Sequence, residues 1–208
     1  MSEEVFASLS GRQQSDLRIF AQRLAQQNRS LNLVAPSTVS DLWQRHIIDS
    51  LQIVPLIRAV LSEMSQASVI DIGTGGGLPA VPLAIAFAQS DNIIMQAIDS
   101  DRKKIASIRI MTLGLEAPLV LHDTRVERHK DQHDVVTSRA LAPLSQLLVW
   151  GQICLKPSGV MVLLKGERFQ DEIAAARDNW NFSTAIHTSV TNSDAAVVVV
   201  SAISRKNA

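Results

Sequence analysis

A short apolar run that leads directly into a cluster of glycines is the feature of this sequence that most constrains its fold. Residues 69–72 read Val-Ile-Asp-Ile, residues 73–77 contain four glycines, and a helical pattern with Pro79 in its first turn follows. Glycine lets the backbone come close to a ligand, and a helix N-terminus offers free N–H donors. The order of strand, glycine loop and helix therefore predicts a ligand-binding loop. A turn that only connects the two elements is the simpler alternative.

The rest of the chain predicts the sheet to which this loop belongs. From residue 67 onward, short β-branched runs alternate with helical patterns, which indicates βαβ crossovers and a mostly parallel sheet. Little helical pattern separates the last two strands, so they are expected to pair antiparallel at the sheet edge. Strands are expected at residues 68–72, 93–98, 119–122, 135–137, 160–164, 183–188 and 197–203, and helices at 78–88, 101–113, 144–154 and 170–179.

The first 66 residues are helical in pattern. Apolar residues such as Leu17 and Leu24 recur at helical spacing after Ser10, which suits an N-cap. A second helical segment covers residues 41–64, where Pro55 is expected to kink or restart the helix. We expect residues 1–66 to form a helical extension packed on a core domain of residues 67–208, the two together making one structural domain.

Two acidic residues indicate which ligand the loop holds. A P-loop needs a Gly-Lys-Ser/Thr string, and no lysine follows these glycines, whereas a dinucleotide fingerprint can be threaded through Gly75, Gly77 and Ala80. Asp71, at the end of the first strand, would repel a pyrophosphate but suits a cationic ligand. Asp99 ends the next strand and suits a ribose diol. An adenosine with a positively charged, phosphate-free tail meets both demands, and S-adenosyl-L-methionine is such a molecule.

The composition excludes several classes of protein. Of 208 residues, 46% are hydrophobic, enough to bury a core, and 20 basic residues balance 20 acidic ones, so a strongly basic nucleic-acid tail is excluded. The single cysteine, Cys154, excludes an intrachain disulfide. No apolar stretch reaches the roughly 20 residues of a membrane helix, and the acidic start is unlike a signal peptide. A cytoplasmic protein without a membrane partner is therefore expected.

Six strings in order carry a resemblance to a known family. They are Leu31-Asn32-Leu33, Arg45-His46-Ile47-Ile48-Asp49-Ser50, residues 71–79, Arg125-Val126-Glu127, Ser138-Arg139-Ala140 and Leu164-Lys165-Gly166. With these intervals the chain resembles the bacterial 16S ribosomal RNA guanine-N7 methyltransferase family (RsmG, also called GidB) over about residues 32–166. The resemblance implies the α/β, Rossmann-like fold of class I S-adenosylmethionine-dependent methyltransferases: a mostly parallel seven-stranded sheet with an antiparallel C-terminal strand and N-terminal helices.

The loop pattern and the resemblance together give a set of candidate site residues. The candidates for cofactor binding are Asp71, Gly73, Gly75, Gly77, Leu78, Asp99, Val126, Glu127 and Arg139. Candidates for substrate positioning are Arg139, His46, Asp49 and Lys165. Seven of these residues also have a purely structural interpretation. Leu78 and Val126 could belong to the core, Asp99 could cap a helix, and Glu127 could form a solvated ion pair. His46 and Asp49 could form a hydrogen bond on a helix surface, and Lys165 could end a strand.

The reaction that the resemblance implies needs no catalytic acid or base. Guanine N7 is an unprotonated lone-pair acceptor, so methylation there removes no proton from the nucleophile. Cys154 lies in an apolar helical pattern and is expected to be an inert buried thiol. The other histidines show no metal-ligand spacing, so no metal is expected; they are His122, His129, His133 and His187.

The substrate follows from the resemblance alone. Basic and acidic residues are mixed and aromatic residues make up 4% of the chain, so neither a basic stripe nor a stacking platform is visible. The resemblance implies the small ribosomal subunit and its 16S rRNA as partner of a monomeric enzyme. A class I methyltransferase for a small molecule, and a non-catalytic Rossmann-like nucleotide-binding module, stay open as alternatives.

Overall fold

A seven-stranded mixed sheet forms the centre of the structure, a computed structural model that describes residues 2–90 and 92–206. Its strands are β1 (Ala67–Ile72), β2 (Ile93–Ile98), β3 (Leu119–His122), β4 (His133–Arg139), β5 (Leu155–Lys165), β6 (Trp180–Thr188) and β7 (Ala196–Arg205). The order across the sheet is β3-β2-β1-β4-β5-β7-β6. The pairs from β3 to β5 are parallel, whereas β7 is antiparallel to both β5 and β6. The predicted sheet is confirmed.

The helices agree with the predicted pattern, with one interruption. They are α1 (Ser2–Ser8), α2 (Gly11–Leu31), α3 (Asp49–Leu51), α4 (Val54–Leu61), α5 (Ala80–Ala86), α6 (Arg102–Thr112), α7 (Leu144–Cys154) and α8 (Phe169–Ala176). Between α2 and α3 lie a 3-10 turn, Pro36–Asp41, and a π-helical segment, Trp43–Ile48. Pro55 stands in the first turn of α4, where its missing N–H costs nothing, so the helix restarts there. No helix within the described residues is long and apolar enough to cross a membrane.

Strands β4 and β5 are longer than the predicted 135–137 and 160–164. Their added residues include Pro157 and Gly159, which weaken a strand signal in the sequence. In the sheet, His133 pairs with Leu155, and the register then shifts before Val135. Pairing with a neighbouring strand thus extends both elements past the point where intrinsic β-propensity ends.

Two hydrophobic clusters cover the two faces of the sheet. One contains Leu17 and Phe20 of α2 together with Val69 of β1, and the other contains Ile70 of β1 and Leu148 of α7. Neighbouring residues of β1 belong to different clusters because successive strand side chains point to opposite faces. The N-terminal helices therefore share a core with the sheet. The division into 1–66 and 67–208 stays a prediction.

Candidate functional site

A cavity of about 1010 Å³ opens at the carboxyl ends of the parallel strands, the place where open α/β sheets bind ligands. Its wall combines the glycine loop (residues 73–77), the segments that follow β2 to β5, residues of the N-terminal extension and the loop between β6 and β7. Cavities for one small molecule measure about 300–1,000 Å³. The volume of this cavity is at the upper end of that range, which is enough for a cofactor.

Most of the residues predicted from the sequence meet in this cavity. Those that line it are His46, Asp49, Gly73, Gly75, Leu78, Asp99, Val126, Glu127, Arg139 and Lys165. Asp71 and Gly77 are not among the lining residues. Gly76, Leu33 and Trp150 line it as well and were not predicted as site residues.

Gly75 and Gly77 of the loop have different surroundings. Gly73, Gly75 and Gly77 all have positive φ angles, of 68°, 57° and 85°. A Cβ atom at Gly75 would have the Gly73 carbonyl oxygen, 3.9 Å away, as its nearest neighbour, so the backbone there borders the cavity with free space. A Cβ atom at Gly77 would lie 2.8 Å from Val81 Cγ2 and 3.4 Å from Ile108 Cγ1. The structure thus places Gly77 in the packing between loop and helices, and Gly75 at the cavity.

Asp71 lies beneath the loop, fully buried. Its Oδ1 accepts a hydrogen bond from Thr137 Oγ1 at 3.0 Å, while Asp71 Oδ2 and Thr74 Oγ1 are buried without a hydrogen-bond partner among the described residues. Burial raises the pKa of Asp71 to about 7, against the opposing effect of the nearby hydroxyls. Thr74 also lines the cavity, so unsatisfied polar atoms lie at and just below the loop surface.

Asp99 ties the loop to the end of β2. Its Oδ2 accepts from the backbone N–H of Gly75 at 2.9 Å, and its Oδ1 accepts from the N–H of Asp101 at 2.9 Å. The cap of α6 is Asp101, whose carboxylate accepts from the N–H of Lys103 at 2.9 Å. Asp101, and not Asp99, therefore caps α6, and Asp99 lines the cavity.

Val126 and Glu127 belong to a 3-10 turn, Val126–Arg128, that follows β3, and both residues line the cavity. Val126 is buried, and the exposed Glu127 accepts a hydrogen bond at 2.8 Å from the indole Nε1 of Trp150. The backbone N–H of Glu127 and the Trp150 indole lower the pKa of the Glu127 carboxyl. In the described part of the chain Glu127 forms no ion pair, so the indole holds it rather than a neighbouring cation.

Arg139, at the end of β4, is the centre of a polar network that reaches into the N-terminal extension. Its Nη1 lies 2.8 Å from His46 Nδ1, 3.1 Å from the Arg45 carbonyl oxygen and 3.4 Å from Asp49 Oδ2. The side chains of Arg139 and Asp49 are 17% and 16% exposed, so this ion pair lies mostly inside the cavity wall. A buried arginine requires such partners.

His46 is neutral in this network. Burial first, and then the positive charges of Arg139 and Arg45, lower the pKa of His46 to about 4. Its Nδ1 therefore accepts the Arg139 hydrogen bond, and its Nε2–H donates to Thr38 Oγ1 at 2.7 Å. The Thr38 hydroxyl in turn donates to the Ala35 carbonyl at 2.7 Å. Both ring nitrogens are occupied, so His46 orients Arg139.

Asp49 and Gln52 join the N-terminal extension to the loop between β6 and β7. Asp49 Oδ1 accepts from Gln52 Nε2 at 2.7 Å and from Thr191 Oγ1 at 2.6 Å. Gln52 Oε1 accepts from the N–H of Val190 at 3.0 Å. Sequence reasoning missed both Gln52 and Thr191. Gln52 lies three positions after Asp49, a helical spacing that could have indicated the contact, whereas 142 positions separate Asp49 from Thr191 and no local pattern joins them.

Lys165 is paired inside the wall. Its Nζ lies 2.6 Å from Glu172 Oε2 on α8 and donates to the Ala142 carbonyl at 3.0 Å. The same Glu172 oxygen accepts from the N–H of Leu144 at the start of α7. The positive charge of Lys165 is therefore balanced by a residue that the sequence analysis did not single out.

His122, His129 and His133 lie close together in the structure, although their spacing in the sequence did not predict a cluster. His129 Nε2 and His133 Nε2 are 2.8 Å apart, and the His122 ring centroid lies 5.1 Å from that of His129. His122 Nε2 also contacts Gln96 Oε1 at 2.7 Å. These histidines lie outside the cavity lining, and within residues 2–90 and 92–206 no group of three or more His, Cys, Asp or Glu is placed to hold a metal ion.

Comparison with known proteins gives this cavity a family context. The family model described as rRNA small subunit methyltransferase G matches residues 13–199. A curated relative of the same name from Gluconobacter oxydans is 37% identical over 190 residues, which cover 91% of this chain and 93% of the relative. Another of that name, from Dinoroseobacter shibae, is 35% identical over 187 residues, which cover 89% of this chain and 93% of the relative.

Solved structures of low sequence identity share the fold. A protein from Listeria monocytogenes described as a class I S-adenosylmethionine-dependent methyltransferase superposes with a TM-score of 0.58 at 12% identity, covering 74% of this chain and 59% of that one. The O-methyltransferase TomG from Streptomyces achromogenes, solved in complex with SAM, gives a TM-score of 0.57 at 14% identity and covers 88% of this chain and 89% of its own. The expected class I methyltransferase fold is confirmed.

Proposed function

The chain belongs to the family of rRNA small subunit methyltransferase G, and from this premise we propose that it methylates N7 of a guanine in the 16S rRNA of the small ribosomal subunit. The cofactor is S-adenosyl-L-methionine, which supplies an electrophilic methyl group on a positively charged sulfur. One observation carries the proposal: the glycine loop with Asp99 and the Arg139–His46–Asp49 network line a single cavity. Cofactor and nucleotide thereby meet in one place.

The residues of the loop side fit this cofactor. The Asp99 carboxylate lies at the end of β2, where a ribose diol is bound in such folds, and Gly75 borders the cavity without a side chain. Val126 and Glu127 would hold the adenine end. Asp71 lies beneath the loop, and its carboxylate, when ionised, favours a ligand with a cationic tail over one with a pyrophosphate.

The network side suits positioning rather than proton transfer. N7 of guanine needs no deprotonation, and neither ring nitrogen of His46 is free to take a proton, since Arg139 and Thr38 occupy them. His46 and Asp49 hold the Arg139 guanidinium in a fixed position at the cavity wall, where it can donate a hydrogen bond to the substrate. Methyl transfer is then accelerated because the base is held in line with the methyl group and water is excluded.

The cellular setting is proposed on the same basis. We expect the protein to act in the cytoplasm, because ribosomal RNA is its proposed substrate, and to act as a monomer, as the family resemblance implies. Size-exclusion chromatography with light scattering tests the monomer, and a dimeric mass would contradict it.

The experiment that tests the proposed function maps N7-methylguanine in 16S rRNA from a strain that lacks the gene. One guanine is expected to lose its N7 methyl group, and the wild-type gene is expected to restore it. The Arg139→Ala gene serves as the control that produces protein without restoring the mark. An unchanged rRNA map, with methyl transfer to a small metabolite instead, would overturn the RNA substrate.

A further inference from the structure

The charged residues at the ends of β4 and β5 form two inner ion pairs. Arg139 Nη1 lies 3.4 Å from Asp49 Oδ2, and Lys165 Nζ lies 2.6 Å from Glu172 Oε2. In both pairs the cation is largely buried, with 17% exposure for Arg139 and 9% for Lys165. Each positive charge is offset by a carboxylate, so this part of the wall carries little net charge.

Two further arginines of the same cavity are exposed and unpaired. Arg45 and Arg168 both line the cavity, and in the described part of the chain neither side chain forms an ion pair or a hydrogen bond. The backbone of each is held at an inner pair: the Arg45 carbonyl accepts from Arg139 Nη1 at 3.1 Å, and the Arg168 carbonyl accepts from the N–H of Glu172 at 3.0 Å. The backbones of Arg45 and Arg168 are thus held next to the two inner ion pairs, while their guanidinium groups are free.

The opposite side of the cavity is charged differently. The lining cations there, Lys104 and Arg125, are accompanied by the lining acids Asp99, Asp101 and Glu127. These acids are held by backbone N–H groups or by an indole, and none of them neutralises Arg45 or Arg168. The uncompensated positive charge of the cavity therefore lies beside β4 and β5, away from the proposed cofactor side.

We propose that Arg45 and Arg168 bind RNA backbone phosphates next to the target nucleotide, while the paired wall between them and the cofactor holds the uncharged base. This inference rests on the proposed function. A guanidinium group presents two parallel N–H donors that match a phosphate. The base enters uncharged and takes over the positive charge of the sulfonium when N7 is methylated, so an unpaired cation directly beside it would oppose the transfer. Two local cations also explain how a chain with 20 basic and 20 acidic residues meets a polyanion without an overall positive charge.

The test measures binding of protein-free 16S rRNA by Arg45→Gln, Arg168→Gln and the double variant over a series of salt concentrations. Arg109→Gln is the matched control, because Arg109 is an exposed arginine of α6 outside the cavity lining. Each cavity substitution is expected to weaken RNA binding about tenfold and to lower the slope of log K against log salt by about one. Affinity for S-adenosylmethionine, from calorimetry, is expected to stay at the wild-type value.

Three results would overturn the inference. They are wild-type RNA affinity and salt slope in the double variant, an equal loss with Arg109→Gln, and a comparable loss of cofactor affinity, which would place the arginines in the cofactor site. N7 methylation is measured separately. A wild type that binds RNA through these arginines but leaves every guanine N7 unmethylated would contradict the proposed function and leave this inference standing.

Discussion

The cavity has two halves that are built in opposite ways. The loop half consists of the glycine loop, Asp99 and the turn at Val126, and its key contact, from the N–H of Gly75 to Asp99, joins residues 24 positions apart. The network half consists of Arg139, His46 and Asp49, and its contacts span 93 positions to His46 and, from Asp49 to Thr191, 142 positions. The loop half follows from consecutive βα units. The network half exists only once both ends of the chain have docked on the sheet.

This difference separates two kinds of function. A change in the loop half is expected to act on cofactor affinity, since its groups border the proposed cofactor. A change in the network half is expected to act on turnover, since its groups orient one another at the proposed substrate side.

Removal of the Arg139 side chain is expected to have the largest effect. Arg139→Ala deprives His46 and Asp49 of their shared cation and leaves the substrate side without a fixed donor. Methyl transfer in a single turnover, with both substrates saturating, is expected to fall about a hundredfold, the usual cost of misplaced reactants. Circular dichroism is expected to show a folded protein, and Arg109→Ala is the control. An equally large fall in cofactor affinity would show that Arg139 binds the cofactor, the other role that the sequence predicts for it, and the two halves would then share this residue.

Two neighbouring aspartates sharpen the account of the loop half. Asp99→Ala removes the acceptor of the Gly75 N–H and is expected to weaken cofactor binding by about 1–3 kcal/mol. Asp101→Ala removes the cap of α6 and is expected to cost about 1 kcal/mol of folding stability with little change in cofactor affinity. Calorimetry and thermal melts measure the two quantities. Unaltered cofactor affinity in Asp99→Ala would mean that Asp99 only holds the glycine loop through Gly75 and does not bind the cofactor.

The histidine cluster, outside both halves, is expected to make folding stability depend on pH. Burial and the neighbouring His129 lower the pKa of His133 to about 4, with Asp131 opposing and His122 and Lys156 adding to the effect. Between about pH 6.5 and 4 the unfolded chain takes up a proton that the folded chain does not, so stability present above that range is lost as pH falls. At about 1.4 kcal/mol for each pH unit between 6.5 and 4, the loss of folding free energy from this residue is about 3 kcal/mol.

Denaturant unfolding at several pH values checks this, with His133→Gln compared against the wild type. The variant is expected to have the shallower slope over that range. Because the pKa of Asp71 is raised to about 7, the contribution of Asp71 to folding stability decreases as pH rises. This contribution is the same in the wild type and in His133→Gln, so it cancels when the two proteins are compared. Parallel curves for the two proteins would mean that the cluster does not couple folding to protons.

The smallest effect is expected in the pH dependence of the methyl-transfer step. N7 needs no deprotonation, and the pKa of His46, at about 4, lies below the working range. Asp71, with a pKa of about 7, titrates within that range, but it lies beneath the glycine loop and is expected to act on cofactor affinity. The rate at saturating cofactor is therefore expected to change less than about twofold from pH 6.5 to 8.5. Single-turnover rates, with methylation measured at N7, provide the measurement. A rate that rises tenfold per pH unit would indicate an amine or hydroxyl target and would contradict the guanine-N7 proposal.

Much of the loop half was predictable, because its signals are local. The apolar strand at 69–72, the glycines and the acids after β1 and β2 all follow from side-chain alternation and turn chemistry within short stretches. Even there, the roles of single residues needed the fold. Asp71 lies beneath the loop, Gly77 packs against Val81, and Trp150 holds Glu127.

The class of the sheet and the place of the glycine loop could be predicted from the sequence, because hydrophobic periodicity and the backbone freedom of glycine act between near neighbours. The pairing of charged and polar side chains became visible only in the folded chain. The pairing of Lys165 with Glu172, the neutrality of His46 and the meeting of His129 with His133 depend on distances and burial that no spacing encodes. The physical reason is that electrostatic interactions depend on separation in space and on exclusion of water, and both are set when distant segments pack together.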